Sequence, residues 1–381
     1  MRYINKFINL AFKSLIFICS LVLVVGCTSP TTSLNSTAEG VNQTRDIYQS
    51  LSITPQPNNQ LCWNDGSPYV DDWDEFIANP VFDEGLASEL IAQNDTTQVI
   101  GLGTYQVVLN TSIQFTYRGY YHSTNPESTG NIRYIALLNE VQLPTAFDDE
   151  NLPYQDMVFN YHETQTFNIT IPPLTEGIHE FAIIGIQQTD LSNLGRAGVF
   201  AIRTTLIAGN PPVAVDRTAY EIITPTEQRN NQNATTYWSL SLHSDQTHLV
   251  WVGGDIYKPS INQLDFFMSV GYMEDVNKLT QRNITPQPQP IALIALLDYV
   301  QVPIQTDKLV FYGLLTPDNS YSYIPASIDV RDYSGKKELL VIQISYPRIP
   351  YCLLTPPPIE QGGHFFYFGV DVRRHGVDVQ N

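Results

Sequence analysis

The sequence predicts an all-β chain of two tandem β-sandwiches, carried behind an export signal and a polar tether. Three observations predict it. A ten-residue segment recurs with its neighbours in register. The apolar runs are short and rich in β-branched and aromatic residues, and Pro and Gly punctuate them.

The recurrence sets the domain count. Residues 135–144 read IALLNEVQLP and residues 294–303 read IALLDYVQVP, with seven of ten positions identical at an offset of 159. Val158-Phe159 matches Val310-Phe311, and Gly177-Ile178-His179-Glu180 before FAIIGI matches Gly335-Lys336-Lys337-Glu338 before LLVIQI. Upstream, Ile113–Phe115 before Gly119-Tyr120 matches Leu264–Phe266 before Gly271-Tyr272. Several matches in order indicate two copies of one unit with different loop lengths. The expected domains are 61–208 and 213–381, broken at the rigid, polar Gly209-Asn210-Pro211-Pro212.

Within each copy the runs read as strands. Phe167–Ile171 alternates apolar and polar, the period of a half-buried strand. Phe181–Ile186 is a short, wholly apolar run, and Val199–Ile202 and His364–Val370 are aromatic-rich closing strands. Frequent turn signals between short strands point to a sandwich or barrel. One stretch reads as helix. Asp72-Trp73-Asp74-Glu75 resembles a capping box, and Leu86–Ala92 fits one or two helical turns at the start of the first domain.

The N-terminus reads as an address. Arg2, Lys6 and Lys13 precede any acid, and an apolar run from Leu15 to Val25 follows. The run is shorter than the about 20 residues of a membrane span and fits the core of a secretion signal. It ends in Leu23-Val24-Val25-Gly26-Cys27. This segment resembles the lipobox of bacterial lipoproteins. The resemblance implies removal of residues 1–26, a thioether-linked diacylglyceryl group on Cys27 and often an acyl chain such as palmitate on its new amino group. Two or more chains anchor a protein stably. Residues 27–60 then form the anchor and a Ser/Thr/Asn-rich tether. Thr28 follows the anchor where an Asp often signals inner-membrane retention, which implies the outer membrane or cell surface in a Gram-negative host.

At Leu174-Thr175-Glu176-Gly177-Ile178-His179-Glu180-Phe181 the chain resembles bacterial immunoglobulin-like domains. The resemblance implies a tight turn at Gly177 and a core position for Phe181. The second copy keeps Gly335 but has Asp332 where Leu174 stands. Neither copy carries the Cys…Trp…Cys framework of antibody domains.

Composition narrows function by exclusion. The chain carries a net charge of −18, and loss of the basic signal leaves it about three units more acidic. Nucleic acid needs Lys and Arg to neutralise phosphate, so it is not an expected partner. Between Asp46 and Tyr117 stand ten acids and no Lys or Arg. They read as a solvated face or as an attraction for a cation or basic partner, with Asp71, Asp72, Asp74 and Glu75 as candidate Ca²⁺ oxygens outside the EF-hand spacing. Cys62 and Cys352 remain beyond the anchor. They form either a disulfide, which the exported compartment permits, or two separate buried thiols.

No G-x-S-x-G, P-loop, G-x-G-x-x-G or H-E-x-x-H motif is present. His243 and His248 with Asp245 read as a polar hairpin or as a weak transition-metal set. No cofactor is indicated. The abundant aromatics include two segments read as loops, Tyr117–His122 and the stretch from Asp318 with Tyr321 and Tyr323, whose rings could stack on sugars or anchor a protein. The expected function is a membrane-anchored, non-catalytic binding or adhesion module for polysaccharide or an envelope protein. The alternatives are an envelope spacer and an enzyme with its site at the domain junction.

Overall fold

The computed structural model describes residues 84–379 apart from internal stretches, the longest being 189–197, 210–219, 229–239, 244–255, 272–287 and 350–369. Cys27, Cys62, Cys352, Asp71–Glu75, Asp245 and His248 lie outside the described residues, as does 364–369 of the expected closing strand.

The first half runs β1 (Glu84–Ala92), β2 (Thr97–Gly101), β3 (Thr104–Val107), β4 (Ile113–Ser123), β5 (Gly130–Leu138), β6 (Val141–Gln142), β7 (Gln155–Phe159), β8 (Glu163–Ile171), β9 (Gly177–Gln187) and β10 (Val199–Ala208). The second runs β11 (Glu221–Ile223), β12 (Glu227–Gln228), β13 (Leu240–His243), β14 (Ile256–Tyr257), β15 (Gln263–Gly271), β16 (Gln289–Leu297), β17 (Val300–Val302), β18 (Val310–Leu315), β19 (Ser320–Asp329), β20 (Gly335–Ser345) and β21 (Val370–Val379).

Each half is a pair of sheets. In the first, β1-β4-β8 faces β2-β3-β10-β9-β5-β6, with β7 on β5. In the second, β12-β19-β15-β13 faces β11-β18-β16-β20-β21-β14, with β17 on β16. An antiparallel pair at the centre of the larger sheet, β5 with β9 and β16 with β20, is common to both. So is a short early strand lying parallel to the last one, β3 beside β10 and β14 beside β21. The two halves are immunoglobulin-like sandwiches.

The alternation of side chains builds the cores. Phe115 and Tyr117 from β4, Phe167 and Ile169 from β8, and Tyr134, Phe181 and Ile183 from the larger sheet fill the first sandwich. Leu264, Phe266, Ile291, Leu293, Leu339 and Val341 fill the second. Gly185 stands opposite Phe200, and a Cβ there would lie 1.9 Å from the Phe200 ring. Only a glycine lets that ring cross the strand.

A third core joins the sandwiches. Ile135, Leu137, Ala182, Ile184 and Ile186 project from the far side of β5 and β9, and meet Ala292, Ile294, Leu296, Leu340, Ile342 and Ile344 from β16 and β20. The larger sheets therefore pack face to face, giving four stacked layers. This explains why FAIIGI and IALL have no polar alternation: strands buried on both faces read as continuous apolar runs. Burying a Leu or Ile side chain contributes about 1.5–3 kcal/mol, so this third core ties the halves firmly.

Three sequence expectations are corrected. Leu86–Ala92 is strand, not helix: it lies within β1, paired antiparallel with β4. Leu86, Leu90 and Ala92 pack on the first core. Even spacings of two and four satisfy a strand's period of two, and the Leu86–Leu90 interval also fits a helical turn, so the pattern is ambiguous. Tyr117–His122 is no loop but the second half of β4, with Tyr117 fully buried. Tyr321 and Tyr323 likewise lie on β19. Aromatics are frequent in strands because they pack well on the pleated surface.

Candidate functional site

Two polar assemblies stand out, one buried at the junction and one at the surface. The junction is built twice, in near mirror roles. The β5–β6 and β16–β17 hairpins turn through Asn139-Glu140 and Asp298-Tyr299, all four at positive φ (51°, 63°, 55° and 69°). Positive φ at both central residues is the geometry of a type I′ hairpin turn, which usually carries Asn or Gly. Glu140 and Tyr299 bear that conformational cost because the turn delivers their side chains into the junction.

There Gln142 N donates to Gln301 Oε1 at 2.6 Å, and Gln301 N donates to Gln142 Oε1 at 2.7 Å. Gln142 Nε2 donates to Tyr299 O at 2.8 Å and Gln301 Nε2 to Glu140 O at 3.0 Å. Arg203 grips Glu180 through two bonds of 2.8 and 2.6 Å and donates to Ser345 O of the other sandwich at 2.7 Å. Arg374 bonds Glu338 at 2.5 Å and donates to Gln187 O at 2.8 Å. Apart from the second Arg203–Glu180 bond, each of these contacts has its counterpart, so the sandwiches are related by an internal pseudo-two-fold.

The symmetry breaks at chemically telling places. Tyr299 donates its hydroxyl to Glu338, whereas the equivalent Glu140 adds a second carboxylate near Glu180. Glu140 is 1% exposed and is met by Arg348 Nε at 3.0 Å and the Tyr312 hydroxyl at 2.7 Å. Burial, and then the charge of Glu180, push the Glu140 carboxyl up to about 7, against the pull of Arg348. Arg348 also donates its backbone amide to Glu180 at 2.8 Å. His179 is the other substitution. Its Nε2 donates to Thr175 O at 2.9 Å, so its Nδ1 accepts from Asn139 Nδ2 at 3.0 Å. The equivalent contact is the 2.8 Å ion pair of Lys337 and Asp298.

The surface assembly lies on the face of the β1-β4-β8 sheet turned away from the core. Thr116, Arg118, Tyr120 and His122 project there from β4, opposite Asn168, Thr166 and Thr164 of β8. Thr116 Oγ1 donates to Asn168 Oδ1 at 3.1 Å, and Arg118 pairs with Glu89 of β1. At one end the β7–β8 turn presents a ring stack. Tyr161 lies on His162 with centroids 3.9 Å apart, and His162 lies on His122 at 4.6 Å. Tyr120 flanks both imidazoles at about 6 Å, within the ordinary range of ring contacts. Tyr161 is 38% exposed.

Of the residues singled out by sequence, His243 ends β13, across from Phe267, and its proposed partners lie outside the described residues. Among the described residues no group of three or more His, Cys, Asp or Glu is arranged to hold a metal ion. The Tyr117–His122 segment does contribute two of the surface rings. His162 and Tyr161 were not anticipated, because a Tyr-His pair in a turn carries no sequence signature.

No family model matches the sequence, and no curated protein matches it. Among solved structures, the CARDB domain of a Pyrococcus furiosus protein, in complex with di-metal ions, is 9% identical with a TM-score of 0.22, over 34% of this chain and 96% of that one. CBD12 from CALX1.2 is 10% identical with a TM-score of 0.19, over 68% and 79%. A beta-glucosidase from Listeria innocua is 10% identical with a TM-score of 0.18, over 33% and 16%. Likeness at this level says nothing about what this chain binds.

Proposed function

We propose that the chain is an exported lipoprotein, anchored through Cys27 and displayed outside the membrane as a non-catalytic binding or adhesion module. The observation that carries this reading is the contrast between its two polar assemblies. The junction charges are consumed in joining the sandwiches, while the polar row Thr164, Thr166 and Asn168 and the Tyr161 ring at its end stay exposed. Rigid sandwiches that present such faces suit recognition, and polysaccharide or an envelope protein is the expected partner class.

A catalytic reading of the junction has one observation in its favour, the raised Glu140 carboxyl beside Glu180. Against it, Glu140 is sealed between Arg348 and Tyr312. A spacer role draws support from the continuous four-layer packing, which makes the two sandwiches one stiff body.

Detergent phase partitioning tests the anchor. The wild-type chain partitions with detergent and the Cys27→Ala variant with water; a variant that stays with membranes overturns it. Cells with and without the chain, applied to immobilised envelope polysaccharide and envelope protein, test the binding role. Equal retention of both strains on every surface sinks it.

A further inference from the structure

We propose that the outer face of the β1-β4-β8 sheet binds an uncharged hexose polymer, with the Tyr161–His162–His122 stack as the wall on which one sugar ring packs. This names the ligand class of the binding-module reading and rests on it.

The wall is held in place by its turn. Asn160 donates to Glu163 Oε2 twice, from its backbone amide at 2.7 Å and from its side chain at 2.8 Å. His162 sits at φ 54°, a region that non-glycine residues enter at a cost. That backbone wedges the imidazole between Tyr161 and His122. Strain held at an exposed turn suggests a role for the ring that it positions. The outermost ring, Tyr161, keeps more than a third of its surface in water. A pyranose presents a face of C–H bonds that packs on such a ring, as any flat apolar surface does.

The rest of the face supplies what a sugar also needs. Thr164, Thr166 and Asn168 are exposed along β8. Same-face residues recur about every 7 Å along a strand, so the hydroxyl and amide groups form a row leading away from the stack. Arg118 is paired with Glu89, so the face brings no unbalanced cation to an acidic glycan. The strongly acidic chain repels polyanions. A protein partner is disfavoured because its interface core is apolar and depleted in charge, while this face is a polar row with a single aromatic wall.

The test titrates the full mature chain with cellohexaose, maltohexaose, mannohexaose and chitohexaose by calorimetry, with hyaluronan as the anionic comparison. The expected result is saturable binding of at least one neutral hexaose, tighter than about 1 mM, weakened at least about tenfold by Tyr161→Ala. His162→Gly accepts the turn's φ and removes the middle ring, so it weakens binding comparably and keeps the test open should Tyr161→Ala misfold. Binding of none of the four, wild-type affinity in a folded Tyr161→Ala variant, or preference for hyaluronan over every neutral sugar overturns the proposal. If no hexaose binds while cells bearing the chain are still retained on envelope protein, the sugar face fails and the binding-module reading stands.

Discussion

Gln142 and Gln301 hold each other by the same bond made twice. Each backbone amide donates to the other's side-chain oxygen, at 2.6 and 2.7 Å. The two residues are equivalent positions of the repeated segment, 159 apart in sequence. A repeat read from sequence has become a contact between its own copies. The pair is the centre from which the Arg203–Glu180 and Arg374–Glu338 assemblies are disposed on either side.

Truncating either glutamine strands groups in a partly buried setting. Gln301→Ala removes the acceptor of Gln142 N and the donor to Glu140 O, and Gln142→Ala does the equivalent. Each single change is expected to cost about 1–3 kcal/mol. The double variant costs less than the sum, because both singles break the same reciprocal unit. Urea unfolding of the four proteins measures this, and strict additivity would show that the pair does not act as one.

Glu140 sets a pH dependence. Its folded carboxyl titrates at about 7, against 4.5 in the unfolded chain. A raised carboxyl favours the folded state when protonated, so its stabilisation is fully present below about pH 4.5 and is lost as pH rises through about 7. The span corresponds to on the order of 3 kcal/mol. Glu140→Gln keeps a neutral group at every pH. It is expected to flatten the stability profile between pH 5 and 8 and to raise stability at pH 8 relative to wild type. Parallel profiles for the two proteins would contradict the assignment.

The two buried arginines are expected to matter by the same mechanism but to different extents. Arg203→Ala leaves Glu180 buried beside Glu140, and Arg374→Ala leaves Glu338. Removing one member of a buried pair costs about 3–5 kcal/mol. The Arg203 variant should lose the more stability at pH 8 and recover part of it at pH 5, because protonation relieves the Glu140–Glu180 repulsion. The Arg374 site holds one carboxylate against Tyr299 and recovers less. Thermal melts at the two pH values decide this, and equal recovery would count against the asymmetry.

Gly185→Ala drives a methyl group into the Phe200 ring. Overpacking of this kind costs about 1–3 kcal/mol. Adding Phe200→Leu should restore part of the loss, since the smaller side chain clears the Cβ. If the single variant melts like wild type, the strand and ring do not approach as described.

A central strand of the inner sheets was legible for a plain reason. Phe181–Ile186 is short, β-rich and apolar on both faces, as a strand covered on both sides must be. Leu86–Ala92 was not, because an i, i+4 leucine pair serves helix and strand equally, and only pairing with β4 decides. The turn motif was half legible. Phe181 is buried as the resemblance implied. Leu174 is buried too, whereas its second-copy counterpart Asp332 is exposed and Val330, two residues earlier, lies in the core. Tyr161 and His162 were illegible as a site because stacking depends on a turn's φ and on a strand 40 residues upstream.

The sequence by itself determined the repeat, the all-β class and the sandwich unit, since hydrophobic period and turn chemistry are local properties of a chain. It also carries the Cys27 signal that motivates the surface reading. Tertiary structure alone decided that the two larger sheets face each other, that Gln142 meets Gln301, and that Glu140 shares a buried site with Arg348. Those contacts join residues more than 100 positions apart. Their energies come from desolvation and geometry that no single stretch of sequence encodes.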